Sequence, residues 1–323
     1  MAYQNVGKPR FYINYVEYLA STGIDIDPIF RTLPVGNNLF PYPPNSDLLE
    51  IPQLPDFAGV LGAYNNAFGA VLGHNVTATS FSFQNISEAE LGSTNIINAP
   101  SDSDVQLSGF SIFGFVPPGV PYYFTLGDNE DLPDFASIGS LVMGSYYEMP
   151  NAPNLSLTMS REYGGTKEFT TYNGSSMSNT MWNKPPKWGE LGAWELSVGN
   201  PSLAKSGRRT WDLEFSYMDD ADLWGSNQLI STVGENITTE LGYESEAIDS
   251  DTAFKYTLLG DDNFFSQVWH KTLGGTIPFI FQPDNTNPAP DQFAICRFKN
   301  NSLKAAQSSF NTYDISLSIE EVW

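Results

Sequence analysis

Tyr313-Asp-Ile-Ser-Leu-Ser-Ile-Glu320 decides the fold class, because Tyr313, Ile315, Leu317 and Ile319 alternate with Asp314, Ser316, Ser318 and Glu320. Side chains of a strand point to opposite sheet faces in turn, so this pattern is a strand with one buried face. Working back along the chain, Phe293 to Phe298 is a second apolar run, and Ile277 to Phe281 is a short aromatic strand broken by Pro278. Before them Phe264, Phe265, Val268, Trp269 and Leu273 recur at helical spacing. Asp261 or Asp262 supplies a cap there and Gly274-Gly275 a stop, which predicts a short helix over 261–273 of about three turns.

Similar pieces fill the rest of the chain. Trp211, Leu213, Phe215 and Tyr217 alternate with Asp212, Glu214 and Ser216, and Leu155, Leu157, Met159 and Tyr163 alternate further upstream. Gly164-Gly165 fits a two-residue hairpin turn returning through Lys167 to Tyr172. Phe11 to Tyr18 reads as an aromatic strand, and Phe57 to Leu126 as a series of short strands separated by turn residues such as Pro117-Pro118-Gly119. The expected fold is mainly β: one or two antiparallel β-sandwich domains with long loops and a short helix near residues 261–273.

Between Pro28 and Pro55 stand seven prolines with almost no periodicity. Such a stretch is extended, either as an arm that wraps a neighbouring subunit or as an ordered loop on its parent domain. Residues 1–56 are therefore read as a Pro-rich N-terminal arm, removable without unfolding the rest. Residues 57–135 form a β-rich domain ending at the acidic loop Asp128 to Asp134, and 136–323 a β-sandwich domain.

Thirty-seven acidic against fifteen basic side chains leave a formal net charge of −22. That surface repels phosphate backbones and anionic membranes, which excludes direct nucleic-acid binding as an expectation. The first residues lack the basic and apolar segments of a secretory signal. No apolar run reaches the roughly 18 to 20 residues of a membrane helix.

Catalytic candidates are few. His74 and His270 are the only histidines, and neither lies in a zinc or metalloprotease spacing. Cys296, the one cysteine, sits in an apolar run and reads as a buried structural thiol. Acidic clusters at Asp102/Asp104, Asp128/Glu130/Asp131/Asp134 and Asp219/Asp220/Asp222 offer oxygen ligands for Ca²⁺ but lack the Gly and closing Glu of a calcium loop, so solvated loops are the plainer reading. No enzyme, cofactor or metal is expected. Trp182, Trp188 and Trp194, around Lys184-Pro-Pro-Lys187, read as packing, as interface anchors or as a platform for a host surface glycan. Arg208-Arg209, on so acidic a chain, read as ion pairs between strands or between subunits.

Several segments together resemble a family of virion structural proteins of marine tailed bacteriophages. They are Gly144-Ser-Tyr-Tyr-Glu-Met-Pro-Asn-Ala-Pro-Asn-Leu-Ser-Leu157, Ser206-Gly-Arg-Arg-Thr-Trp-Asp-Leu-Glu-Phe-Ser-Tyr217, Pro278-Phe-Ile-Phe-Gln-Pro-Asp284, Asp291-Gln-Phe-Ala-Ile-Cys-Arg-Phe298 and Ile319-Glu-Glu-Val-Trp323. The resemblance covers 138–323 well and the first part loosely. It implies a virion component with no catalytic residue to carry over; the tail or baseplate is the preferred place, with a head-associated decoration or fibre protein, or a host-glycan-binding module, as the alternative. Its partners would be copies of itself and other virion proteins, without nucleic acid or membrane.

Overall fold

The computed structural model describes residues 6–23, 25, 28–30, 32, 40–41, 49–50, 66–76, 81–85, 90–91, 93–100, 109–115, 122–126, 137–162, 166–180, 208–224 and 262–322. In chain order the strands are β1 (Arg10–Asn14), β2 (Phe40–Pro41), β3 (Leu49–Glu50), β4 (Ala67–His74), β5 (Phe81–Asn85), β6 (Glu90–Leu91), β7 (Ser93–Ala99), β8 (Gly109–Phe115), β9 (Tyr122–Leu126) and β10 (Ser137–Ile138). They continue as β11 (Ser140–Glu148), β12 (Thr158–Glu162), β13 (Thr166–Thr170), β14 (Ser176–Thr180), β15 (Arg208–Asp219), β16 (Phe279–Gln282), β17 (Ala294–Phe298), β18 (Ala305–Ser309) and β19 (Thr312–Glu321). Strand residues far outnumber helical ones among the described residues, and the protein is mainly β. No helix among the described residues is long and apolar enough to cross a membrane.

Eleven strands share one antiparallel sheet in the order β12-β15-β19-β17-β16-β1-β11-β4-β8-β7, with β18 paired to β19 beside β17. β3, β9, β5 and β6 form a smaller sheet, and β2–β10 and β13–β14 pair separately. The large sheet runs through all three expected divisions of the chain. β1, assigned by sequence to a removable arm, lies inside it, with Tyr12 opposite Tyr146 on one side and Ile280 on the other. β4, β7 and β8 continue the same sheet beyond β11, so no sheet boundary separates 57–135 from 136–323. Strand pairing over such sequence distances leaves no local composition signal for the eye to follow.

The sheet is buried on both faces at its centre. On one face Phe11, Ile13, Phe279, Phe281, Phe215 and Leu317 belong to a core covered by Phe264, Val268 and Trp269. Phe11 sits at its middle, with ring centroids 5.2 Å from Phe281, 5.6 Å from Phe279 and 5.7 Å from Phe264. On the other face Tyr12, Phe68, Leu72, Ile112, Val142, Ile280 and Ile295 form a second core. β4 and β16 are accordingly buried at every position, whereas β15 and β19 alternate. At roughly 1.5–3 kcal/mol per fully buried large apolar side chain, these layers dominate the stabilisation.

Several local expectations change. The aromatic run after Pro9 is a strand only to Asn14; Tyr15–Ser21 is a helix, α1. Asn14 Oδ1 accepts the Glu17 N–H at 3.1 Å, a cap that aromatic density masked in the sequence. The chain leaves the sheet across Gly144, in register with Asn14, where a Cβ would collide with the Ile13 carbonyl oxygen. Asn14 Nδ2 also donates to the Phe30 carbonyl at 2.7 Å and Glu17 Oε2 accepts from the Thr32 N–H. The start of the Pro-rich stretch, with Ile29 and Phe30 buried, therefore packs on this unit. Most of the remaining stretch lies outside the described residues.

Gly164-Gly165 lie outside the described residues, and the strands on either side of them pair elsewhere rather than with each other. β12 pairs with β15, while β13 pairs with β14 through a turn at Gly174, whose φ is +79°. The helix near 261–273 is present as a π-helical turn over Phe265–His270, but Asn263, not Asp261 or Asp262, caps it by accepting the Ser266 N–H at 2.8 Å. Gly274 and Gly275, at φ +67° and +89°, end it as expected. Leu273, expected on its buried face, is exposed. β18 forms a hairpin with β19.

Candidate interaction surface

β15 and β19 carry the alternation that the sequence shows, and their polar faces look outward. Ser318 Oγ donates to Asp212 Oδ1 at 2.6 Å and Ser156 Oγ to Glu214 Oε2 at 2.9 Å. Beyond Phe215 the pattern breaks. Phe215 opposes Ile315 and Met218 opposes Tyr313, so Ser216 and Tyr217 together face Asp314 across a β-bulge. Tyr217, expected inside, is 75% exposed at φ +60°, and its N–H donates to Asp314 Oδ1 at 3.1 Å; Met218 takes the core position. The adjacent apolar pair Tyr217-Met218 is the trace this bulge leaves in the sequence.

The segment entering β12 is tied to the same place. The Asn154 N–H donates to the Glu214 carbonyl at 2.7 Å and its Nδ2 to Ser216 Oγ at 2.9 Å. Between these tethers and β12, Leu155 is 84% exposed, and Met159 on the strand is exposed too. β12 ends the sheet, so among the described residues its outer edge has no strand partner. In the β13–β14 hairpin Phe169 lies opposite Met177, both half in solvent, with Tyr172 fully exposed near the turn. A two-stranded hairpin with one such pair is marginal by itself in water.

Arg209 is an inter-strand residue. Its Nη2 and Nε reach Glu321 Oε1 and Oε2 at 2.9 and 3.1 Å, its own N–H donates to Oε2, and Nη2 also donates to the Phe293 carbonyl at 2.8 Å. The guanidinium lies 5.3 Å from the Trp211 ring. Both partners are buried, so the pair joins β15 to the end of β19 within one chain. Of the two alternatives, strand or subunit, Arg209 takes the first. Arg208 stands opposite Glu162 in register and is half-buried.

The two histidines, Lys271 and Cys296 are held in packing contacts. Buried His74 accepts the Val76 N–H at Nδ1, 3.3 Å away, and burial pushes its pKa down to about 4. His270 Nε2 meets the Tyr18 hydroxyl of α1 at 3.0 Å, and burial, then the charge of Lys271, lowers its pKa. Next to it fully buried Lys271 donates to Gln267 Oε1 at 2.6 Å and lies 5.1 Å from the Tyr15 ring; burial lowers its pKa to about 7 against the opposing pull of Asp262. Sequence reasoning missed this lysine, since nothing in Trp269-His-Lys-Thr272 separates a buried from a solvated ammonium. Cys296 is fully buried on β17, and burial, then Glu321, raises its pKa far from the thiolate range.

Asp219 caps the short helix Asp220–Leu223, and Asp220 turns inward toward Tyr313, its pKa raised by burial. No three His, Cys, Asp or Glu converge as metal ligands among the described residues. Trp182, Trp188 and Trp194, and the acidic clusters at Asp102/Asp104 and Asp128 to Asp134, lie outside the described residues. Comparison of the chain with protein-family models, with curated proteins and with solved structures gives no match.

Proposed function

We propose that this chain is a non-catalytic structural subunit of a tailed-bacteriophage particle, of its tail or baseplate, working through contacts between copies in a symmetric assembly. One observation carries the reading: on a chain of net charge −22, Leu155, Met159, Phe169, Tyr172 and Met177 stand exposed on the edge strand β12, whose outer edge has no strand partner among the described residues, on its entry and on the hairpin that follows. Exposed apolar side chains beside an open strand edge favour association by burial and strand addition. The resemblance of the β11, β15 and β19 segments to phage virion proteins supports the particle. The burial of His74, Lys271 and Cys296 in packing contacts supports a non-catalytic role.

Light scattering on the purified protein tests the reading. The parent is expected to run as an oligomer, and Leu155→Ser with Phe169→Ser as a smaller species with an unchanged circular dichroism spectrum. A monomeric parent at every concentration would remove the self-assembly claim. Immunogold labelling of virions with antibody against this chain tests its place in the particle separately.

A further inference from the structure

We draw no further inference here: the strongest candidate, the exposed apolar surface of β12 and the β13–β14 hairpin at one end of the large sheet, carries nothing beyond the proposed function, because it is the surface on which that reading rests and nothing in the structure shows what covers it.

Discussion

Glu321 and Arg209 show how one charged pair ties the end of β19 to β15. Removing one partner of a buried, fully bonded ion pair strands the other charge in a low-dielectric site, at a cost of about 3–5 kcal/mol. Glu321→Ala is therefore expected to lower stability by that amount in urea denaturation, while Arg209→Met with Glu321→Met together loses far less. Equal losses in the single and double variants would show that side-chain packing, not charge pairing, holds this site. The buried bases add to the pH dependence. His74 ionises at about 4 in the folded chain against 6.5 ordinarily, so between those values the unfolded chain binds more protons and stability falls with falling pH. At roughly 1.4 kcal/mol per pH unit of that window the loss is about 3 kcal/mol, and His270 acts in the same direction. Lys271 works higher: with 10.5 lowered to about 7, its contribution is fully present above pH 10.5 and declines as pH falls toward 7. Lys271→Met is expected to flatten the stability profile between pH 7 and 10 in guanidinium titrations, and an unchanged slope would contradict the assignment.

At the scale of elements, caps and bulges steer strands that their apolar patterns describe only in part. Asn14 ends β1, starts α1 and holds the segment at Phe30, so Asn14→Ala is expected to cost more than an ordinary cap, upward of about 1 kcal/mol. Hydrogen exchange should show the loss first in Tyr15–Ser21; uniform loss across the sheet would mean that the contact with Phe30 matters more than the cap. At the bulge, Tyr217 holds a left-handed conformation that asparagine adopts more readily. Tyr217→Asn is expected to raise the thermal midpoint, by about 1 kcal/mol of stability, unless the exposed ring is itself held in a contact between copies. Alternation on β15 and β19 was readable because one face of those strands meets solvent. The Asn14 cap was also written in the sequence, as the spacing Asn14-Tyr-Val-Glu17, but the aromatic run around it pointed to strand.

For the whole molecule, the position of β1 matters most. A strand paired on both sides and buried on both faces cannot be withdrawn without exposing Phe11 and Tyr12 and unpairing β11 and β16. Deleting residues 1–23 is therefore expected to abolish cooperative unfolding and near-ultraviolet dichroism. A truncated chain that still melts cooperatively would restore the idea of a dispensable arm. The sequence by itself determined the β class, the one-faced strands β15 and β19, the presence of a short helix within 261–273 though not its cap, and the burial of Cys296, because each follows from local periodicity, turn residues or hydrophobicity. Only the tertiary structure decided that chain segments hundreds of residues apart share one sheet, that Arg209 answers Glu321, that Lys271 lies buried against Tyr15, and that Tyr217 turns outward. Those outcomes depend on which strand edges meet and in what register, and a single strand's pattern says which face it buries without saying what it is buried against.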